Sequence, residues 1–131
     1  MKIKFFILIF SIFFIYFLTG CKNKEVDFKL QIKESSWSGW SEDYKPKEVT
    51  NKYDIVLEKE YKINSDRFIF KIKKINSKSI IIETKDAFSD SKHGINLRTN
   101  KKEFEVFLDK EIALTTPTMD AGEIYYLKLV K

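Results

Sequence analysis

Phe68-Ile69-Phe70-Lys71-Ile72, then Asn76-Ser77-Lys78, then Ser79-Ile80-Ile81-Ile82-Glu83-Thr84 is the stretch that decides the fold. Phe68, Phe70 and Ile72 recur at every second position, the period that places side chains on one face of a strand. Three consecutive isoleucines follow at 80 to 82, and β-branched residues suit a pleated surface. Between the two runs stand Asn76 and Ser77, whose short polar side chains favour turns. The segment from Arg67 to Lys85 therefore reads as a β-hairpin.

Working outward, the same period recurs. Val26, Phe28, Leu30 and Ile32 alternate with Asp27, Lys29, Gln31 and Lys33, which predicts a half-buried strand. Glu34 to Asn51 mixes Ser, Gly, Pro and charged residues and reads as a long loop, with a short strand within it as the alternative. Tyr53, Ile55, Leu57 and Tyr61 share one parity, broken only by Lys59, so one strand is expected over about 52–63. Downstream, a polar loop at 86–94 leads to a short strand at Ile95 and Leu97 and a turn at Thr99-Asn100-Lys101-Lys102. Phe104, Val106 and Leu108 mark a further strand, Asp109-Lys110 a turn, and Ile112 to Thr115 a strand after it. Pro117 to Gly122 reads as a rigid turn before Ile124-Tyr125-Tyr126-Leu127-Lys128-Leu129-Val130, apolar on both faces as a central strand is. Seven or eight short strands spaced at about 8–12 residues, with no convincing helical period, predict an all-β antiparallel β-sandwich, with a small β-barrel as the alternative.

Asp120-Ala121-Gly122-Glu123-Ile124-Tyr125 resembles the Asp-x-Gly-x-Tyr segment of immunoglobulin-like domains. The resemblance implies an immunoglobulin-like sandwich in which the tyrosine hydroxyl bonds back to the backbone across a corner. Here the tyrosine stands one residue late, on the last strand, with no cysteine after it. The alternative is an ordinary turn that uses Asp and Gly for their turn preferences.

The N-terminal residues carry a different kind of signal. Lys2 and Lys4 precede residues 5–18, apolar except for Ser11, and Leu18-Thr19-Gly20-Cys21 follows. At 1.5 Å per residue a helix over that run reaches only about 21 Å, short of the roughly 30 Å hydrocarbon core. A basic start, a short apolar run and small residues before a cysteine resemble the signal peptide and lipobox of bacterial lipoproteins. That resemblance implies cleavage before Cys21 and a diacylglyceryl group on its sulfur, two acyl chains being enough for a stable membrane anchor. Residues 1–20 are then a removed signal peptide, 21–25 the lipidated cysteine and a short tether, and 26–131 a single domain on the extracytoplasmic face of the cell membrane.

Charge and composition limit what that domain does. The chain has 24 basic and 19 acidic side chains, a net +5. Losing the two lysines of residues 1–20 lowers this to +3, an ordinary solvated surface. Arg67 and Arg98 are the two arginines, and arginine is the side chain that forks onto phosphates and guanine edges, so nucleic acid is not the expected partner. Cys21 is the one cysteine, which leaves the domain without a disulfide.

Chemistry-bearing groups are sparse. His93 is the one histidine. Ser89, Asp90 and Ser91 lie beside it, but members of a catalytic triad normally converge from separate elements. One histidine without a free cysteine cannot furnish a usual zinc set. Asp86, Ser89 and Asp90 lack the Asp-x-Asp-x-Asp-Gly spacing of a calcium loop. Four glycines, dispersed along the chain, make no phosphate-cradling loop. No catalytic residue, metal or cofactor is expected.

What remains is Ser35-Ser36-Trp37-Ser38-Gly39-Trp40-Ser41-Glu42-Asp43-Tyr44, which holds both tryptophans of the chain. Loop aromatics offer large contact area with few rotors to freeze. Trp37, Trp40 and Tyr44 are the candidate ligand contacts, the alternative being that a tryptophan plugs the end of the sandwich. The expectation is a non-catalytic, lipid-anchored binding module of the bacterial cell envelope, with a protein, peptide or glycan partner. An inhibitor or immunity-type lipoprotein that caps a protease or toxin is the alternative, and an envelope hydrolase ranks below both.

Overall fold

The computed structural model describes residues 27–40, 42–90, 101–118 and 120–131. They form eight strands: β1 (Lys29–Ser38), β2 (Val49–Tyr53), β3 (Glu60–Ile63), β4 (Phe68–Ile75), β5 (Ser79–Phe88), β6 (Lys101–Phe107), β7 (Ile112–Thr115) and β8 (Ala121–Val130). Sheet I has the order β2-β1-β8-β7 and sheet II the order β3-β4-β5-β6, and every strand pairing is antiparallel. The molecule is the all-β sandwich that the alternation predicts. β2 is not hydrogen-bonded to β3, nor β6 to β7, so the sheets face one another without closing into a barrel. Within each sheet the hydrogen-bonded neighbours are consecutive in sequence, apart from β1 beside β8, a simpler order than the ABED and CFG sheets of an immunoglobulin domain.

The hairpin at the centre of the sequence reading is β4–β5, with Ile72 opposite Ile82 and Ile75 opposite Ile80. Asn76 and Ser79 close its turn, the Asn76 N–H donating to the Ser79 carbonyl at 2.8 Å. Lys73 is the extra residue of a bulge between Ile72 and Lys74. Of the three isoleucines, 80 and 82 are fully buried and 81 faces outward.

Three expectations are corrected. β1 continues through Ser38, ten rungs deep against β8, where a loop was expected from Glu34. Its second half holds Glu34 and Ser36 on the inward face, so the ladder continues while the hydrophobic period disappears. The strand expected over 52–63 is two strands in different sheets, β2 and β3, with the chain crossing between them at 54–59. Lys59 marks that crossing, and Glu58 beside it has a left-handed φ of 62°. Finally, strand ends run further than expected: Asp86 to Phe88 belong to β5 rather than to the 86–94 loop, Lys101 and Lys102 to β6 rather than a turn, and Ala121 and Gly122 to β8. The strand expected at Ile95 and Leu97, the Thr99-Asn100 half of that turn and all of residues 1–26 lie outside the described residues.

The core lies between the sheets. Leu30 and Ile32 of β1 and Leu127 and Leu129 of β8 meet Phe68, Phe70 and Ile72 of β4 and Ile80 and Ile82 of β5, all essentially without solvent exposure. Each such side chain contributes about 1.5–3 kcal/mol on leaving water. An aromatic column spans the layers: Tyr61 stacks on Phe70 at 4.9 Å between centroids, Phe70 meets Phe68 at 5.1 Å, and Phe68 stacks on Tyr125 at 4.4 Å.

One hydroxyl holds the start of the crossing from sheet I to sheet II, and the Glu58 N–H bonds the Ile72 carbonyl at 2.9 Å near its end. Tyr61 donates to the Asp54 carbonyl and accepts from the Val56 N–H at 3.0 Å. This is the bond back to upstream backbone that the resemblance places at Tyr125. The hydroxyl of Tyr125 instead bonds two side chains, those of Glu123 and Asn64.

Candidate functional site

β1 and β8 run out of apolar inward-facing residues toward Ser38 and Ala121, and polar groups gather at that end. Register places Glu34 opposite Tyr125 and Ser36 opposite Glu123 on the inward face. Glu123 accepts from Arg67 Nη1 at 2.5 Å and from the Tyr125 hydroxyl at 2.7 Å. Asn64 Nδ2 donates to that same hydroxyl at 3.0 Å. The β3–β4 turn of sheet II is thereby tied to β8 of sheet I. Asn64, Ser65 and Asp66 in this turn have φ of 55°, 52° and 65°, a left-handed run that non-glycine residues rarely adopt.

Burial raises the pKa of Tyr125 far above its ordinary value, the bond to Glu123 and the charge of Glu34 adding to it. Tyr53 is raised by burial and then by Glu34. Burial also raises Tyr61, offset in part by the bond from the Val56 N–H. All three hydroxyls therefore stay protonated and neutral at physiological pH.

The aromatic candidates occupy this same end but differ in role. Trp37 lies on the outward face of sheet I, paired with Gly122. A Cβ at Gly122 would stand 2.9 Å from Trp37 Nε1 and closer still to the Thr116 and Thr118 hydroxyls, so the indole fits because the residue beneath it has no side chain. Trp37 is half-buried, and its Nε1 is a buried donor without a hydrogen-bond acceptor among the described residues. Trp40 is 78% exposed. Tyr44 is 43% exposed, its hydroxyl 2.5 Å from Ser36 Oγ.

The loop is pinned at both sides of Trp40. The Gly39 N–H donates to the Asp120 carbonyl at 2.7 Å, the Trp40 N–H reaches Ser38 Oγ at 3.3 Å, and the Ser36–Tyr44 bond closes the far side. Asp120 itself stands at the end of a tight hairpin, in which the Thr116 N–H bonds the Glu123 carbonyl and Thr118 Oγ1 bonds the Ala121 carbonyl. The result is one packed tryptophan, one presented tryptophan and a tethered tyrosine.

The other sequence candidates do not assemble. Ser89 is wholly buried and exchanges two backbone bonds with Thr115, joining the end of β5 to β7. Asp90 pairs with Lys101 at 3.0 Å, and Asp86 is exposed. Cys21, Ser91 and His93 lie outside the described residues. Among the described residues no group of three or more His, Cys, Asp or Glu is placed to hold a metal. Open depressions of about 310 and 350 Å³ lie over β4–β5 and beside β6 and β7, and neither is lined by Trp40 or Tyr44.

Sequence reading missed Asn64, Arg67 and Glu123. Asn64-Ser65-Asp66 is turn chemistry between two apolar runs, which could have located the turn. No local pattern announces its tie to a residue as distant as Glu123. No protein-family model matches the chain, and no curated protein and no solved structure matches it either.

Proposed function

We propose that the protein is a non-catalytic binding module of the bacterial cell envelope, held on the extracytoplasmic face of the membrane by lipid on Cys21, which engages its partner through Trp40 and Tyr44. One observation carries the binding site: Trp40 is largely exposed on a loop in which Gly39 and Tyr44 are held by hydrogen bonds. A solvated indole costs free energy that a free surface does not repay, and a pinned one loses little entropy on binding. The anchor rests on Leu18-Thr19-Gly20-Cys21 and the apolar run before it.

A photo-crosslinking amino acid at position 40 tests the site in living cells. A discrete adduct from position 40, absent when the same residue replaces the exposed Lys62 of β3, supports the reading; equal labelling from both positions defeats it. An adduct with a secreted protease or toxin moves the assignment to an inhibitor or immunity protein. The anchor has its own test, because Cys21→Ser should abolish incorporation of labelled fatty acid, and persisting label refutes lipidation at that residue.

A further inference from the structure

One end of the sandwich carries an excess of lysine. β1 starts at one pole with Lys29 beside Val130 and reaches the Trp40 loop at the other. The near pole also holds the β4–β5 turn, because Leu108 bonds Lys78 and Asp109 bonds Leu129. Its segments 27–30, 53–59, 73–79 and 107–110 carry six lysines against four carboxylates. At the far pole the described segments 36–49, 64–67, 85–90, 101–102 and 116–123 carry six basic groups against eight carboxylates, and residues 91–100, which join two of these segments, add Lys92 and Arg98 and balance the count.

Two near-pole lysines are neutralised, Lys29 by Asp54 and Lys73 by Glu58, each at 3.4 Å. Lys74 and Lys78 have no carboxylate within ion-pair distance among the described residues. Val56 and Leu57, 46% and 52% exposed, stand at the same pole. From these observations we infer that the near pole, with Lys74, Lys78, Val56 and Leu57 at its surface, docks on an anionic bilayer and holds the Trp40 loop away from it.

The occupant follows from chain length. Residues 22–26 separate Cys21 from Asp27, and six steps of extended backbone span at most about 21 Å. On the anchoring reading, on which this inference rests, the near pole cannot leave the headgroup layer by more than that distance. Phosphates of anionic lipids attract lysines at the surface, and the attraction fades within a Debye length of about 8 Å at physiological salt. Lys74 and Lys78 lie on the tethered pole, the one that can come within that range.

The test adds the protein as purified from its own cells to vesicles of phosphatidylcholine, with and without a quarter phosphatidylglycerol, and maps lysine acylation by mass spectrometry. With phosphatidylglycerol, Lys74 and Lys78 should be acylated up to roughly thirtyfold more slowly, given two unneutralised lysines at the surface. Lys45 and Lys47 should be unaffected, and high salt should remove the protection. Equal rates at Lys74 and Lys78 in the two vesicles, with the protein anchored in both, overturn the docking pole and leave the anchor standing; protection centred on Lys45 and Lys47 also overturns it. Failure to associate with pure phosphatidylcholine, together with protection in the mixed vesicles, sinks the anchor and keeps the docking pole. Association with neither sinks both. Lys74→Glu with Lys78→Glu, both exposed positions, should abolish the composition dependence without changing the circular dichroism spectrum.

Discussion

The indole of Trp37 sits over Gly122, its direct partner across the β1–β8 ladder. An aromatic ring covering a strand glycine replaces the side-chain packing that glycine lacks. Gly122→Ala puts a methyl group into space already held by Trp37, Thr116 and Thr118, and overpacking of this kind costs about 1–3 kcal/mol. Urea unfolding followed by tryptophan emission should show the loss. Gly39→Ala, whose new Cβ would meet the Asp120 carbonyl at 3.3 Å, should cost less.

Tyr61 ties the crossing between the sheets to its own ring, which is stacked in the core. Removing its hydroxyl leaves the Val56 N–H and the Asp54 carbonyl without that partner, and Tyr61→Phe should cost about 1–2 kcal/mol. Tyr126→Phe on the outward face of β8, where the ring underlies Lys33, should stay within about 0.5 kcal/mol. Comparable losses from the two variants in urea unfolding would remove the special role given to Tyr61.

Three tyrosines, Tyr61 and Tyr125 buried and Tyr53 partly so, set an alkaline limit. Tyr53, Tyr61 and Tyr125 all have folded-state pKa values above the ordinary 10.0, so the unfolded chain ionises first. Their contribution is fully present below pH 10 and declines as pH rises from there through the folded values. Stability should therefore be level on their account at neutral pH and fall steeply above 10. Tyr125→Phe should reduce that slope more than Tyr53→Phe, as chemical denaturation across the alkaline range can show.

The left-handed run Asn64-Ser65-Asp66 holds Arg67 and Asn64 against β8. A β-branched residue tolerates this backbone worst, and Ser65→Val should cost about 1–2 kcal/mol. Ser65→Gly relieves the steric penalty while freeing the unfolded chain, and the two effects should cancel to within about 0.5 kcal/mol. Thermal unfolding separates these outcomes, since equal melting points for the two variants would mean the turn relaxes at no cost.

The sequence disclosed the fold wherever burial follows a period of two. Phe68, Phe70 and Ile72, Leu30 and Ile32, and Phe104 and Val106 all point inward as their spacing requires. The second half of β1 escaped because Glu34 and Ser36 put polar groups on the inward face. The division of 52–63 escaped because Tyr53 and Tyr61 keep one parity although they stand on different sheets. At the candidate site, composition singled out Trp37 and Trp40 equally, and nothing local distinguishes them. Their difference comes from Gly122, a residue far along the chain that makes room for one indole and not the other.

β1 has a mechanical consequence. It is already extended over ten residues, lies inside sheet I between β2 and β8, and joins the segment before Lys29 directly to the loop that carries Trp40. A pull between those two points runs along a single taut strand and puts no peeling force on the ladders beside it. The rest of the sandwich is a brace around that cable, and tension should be carried from one pole to the other without unfolding the domain.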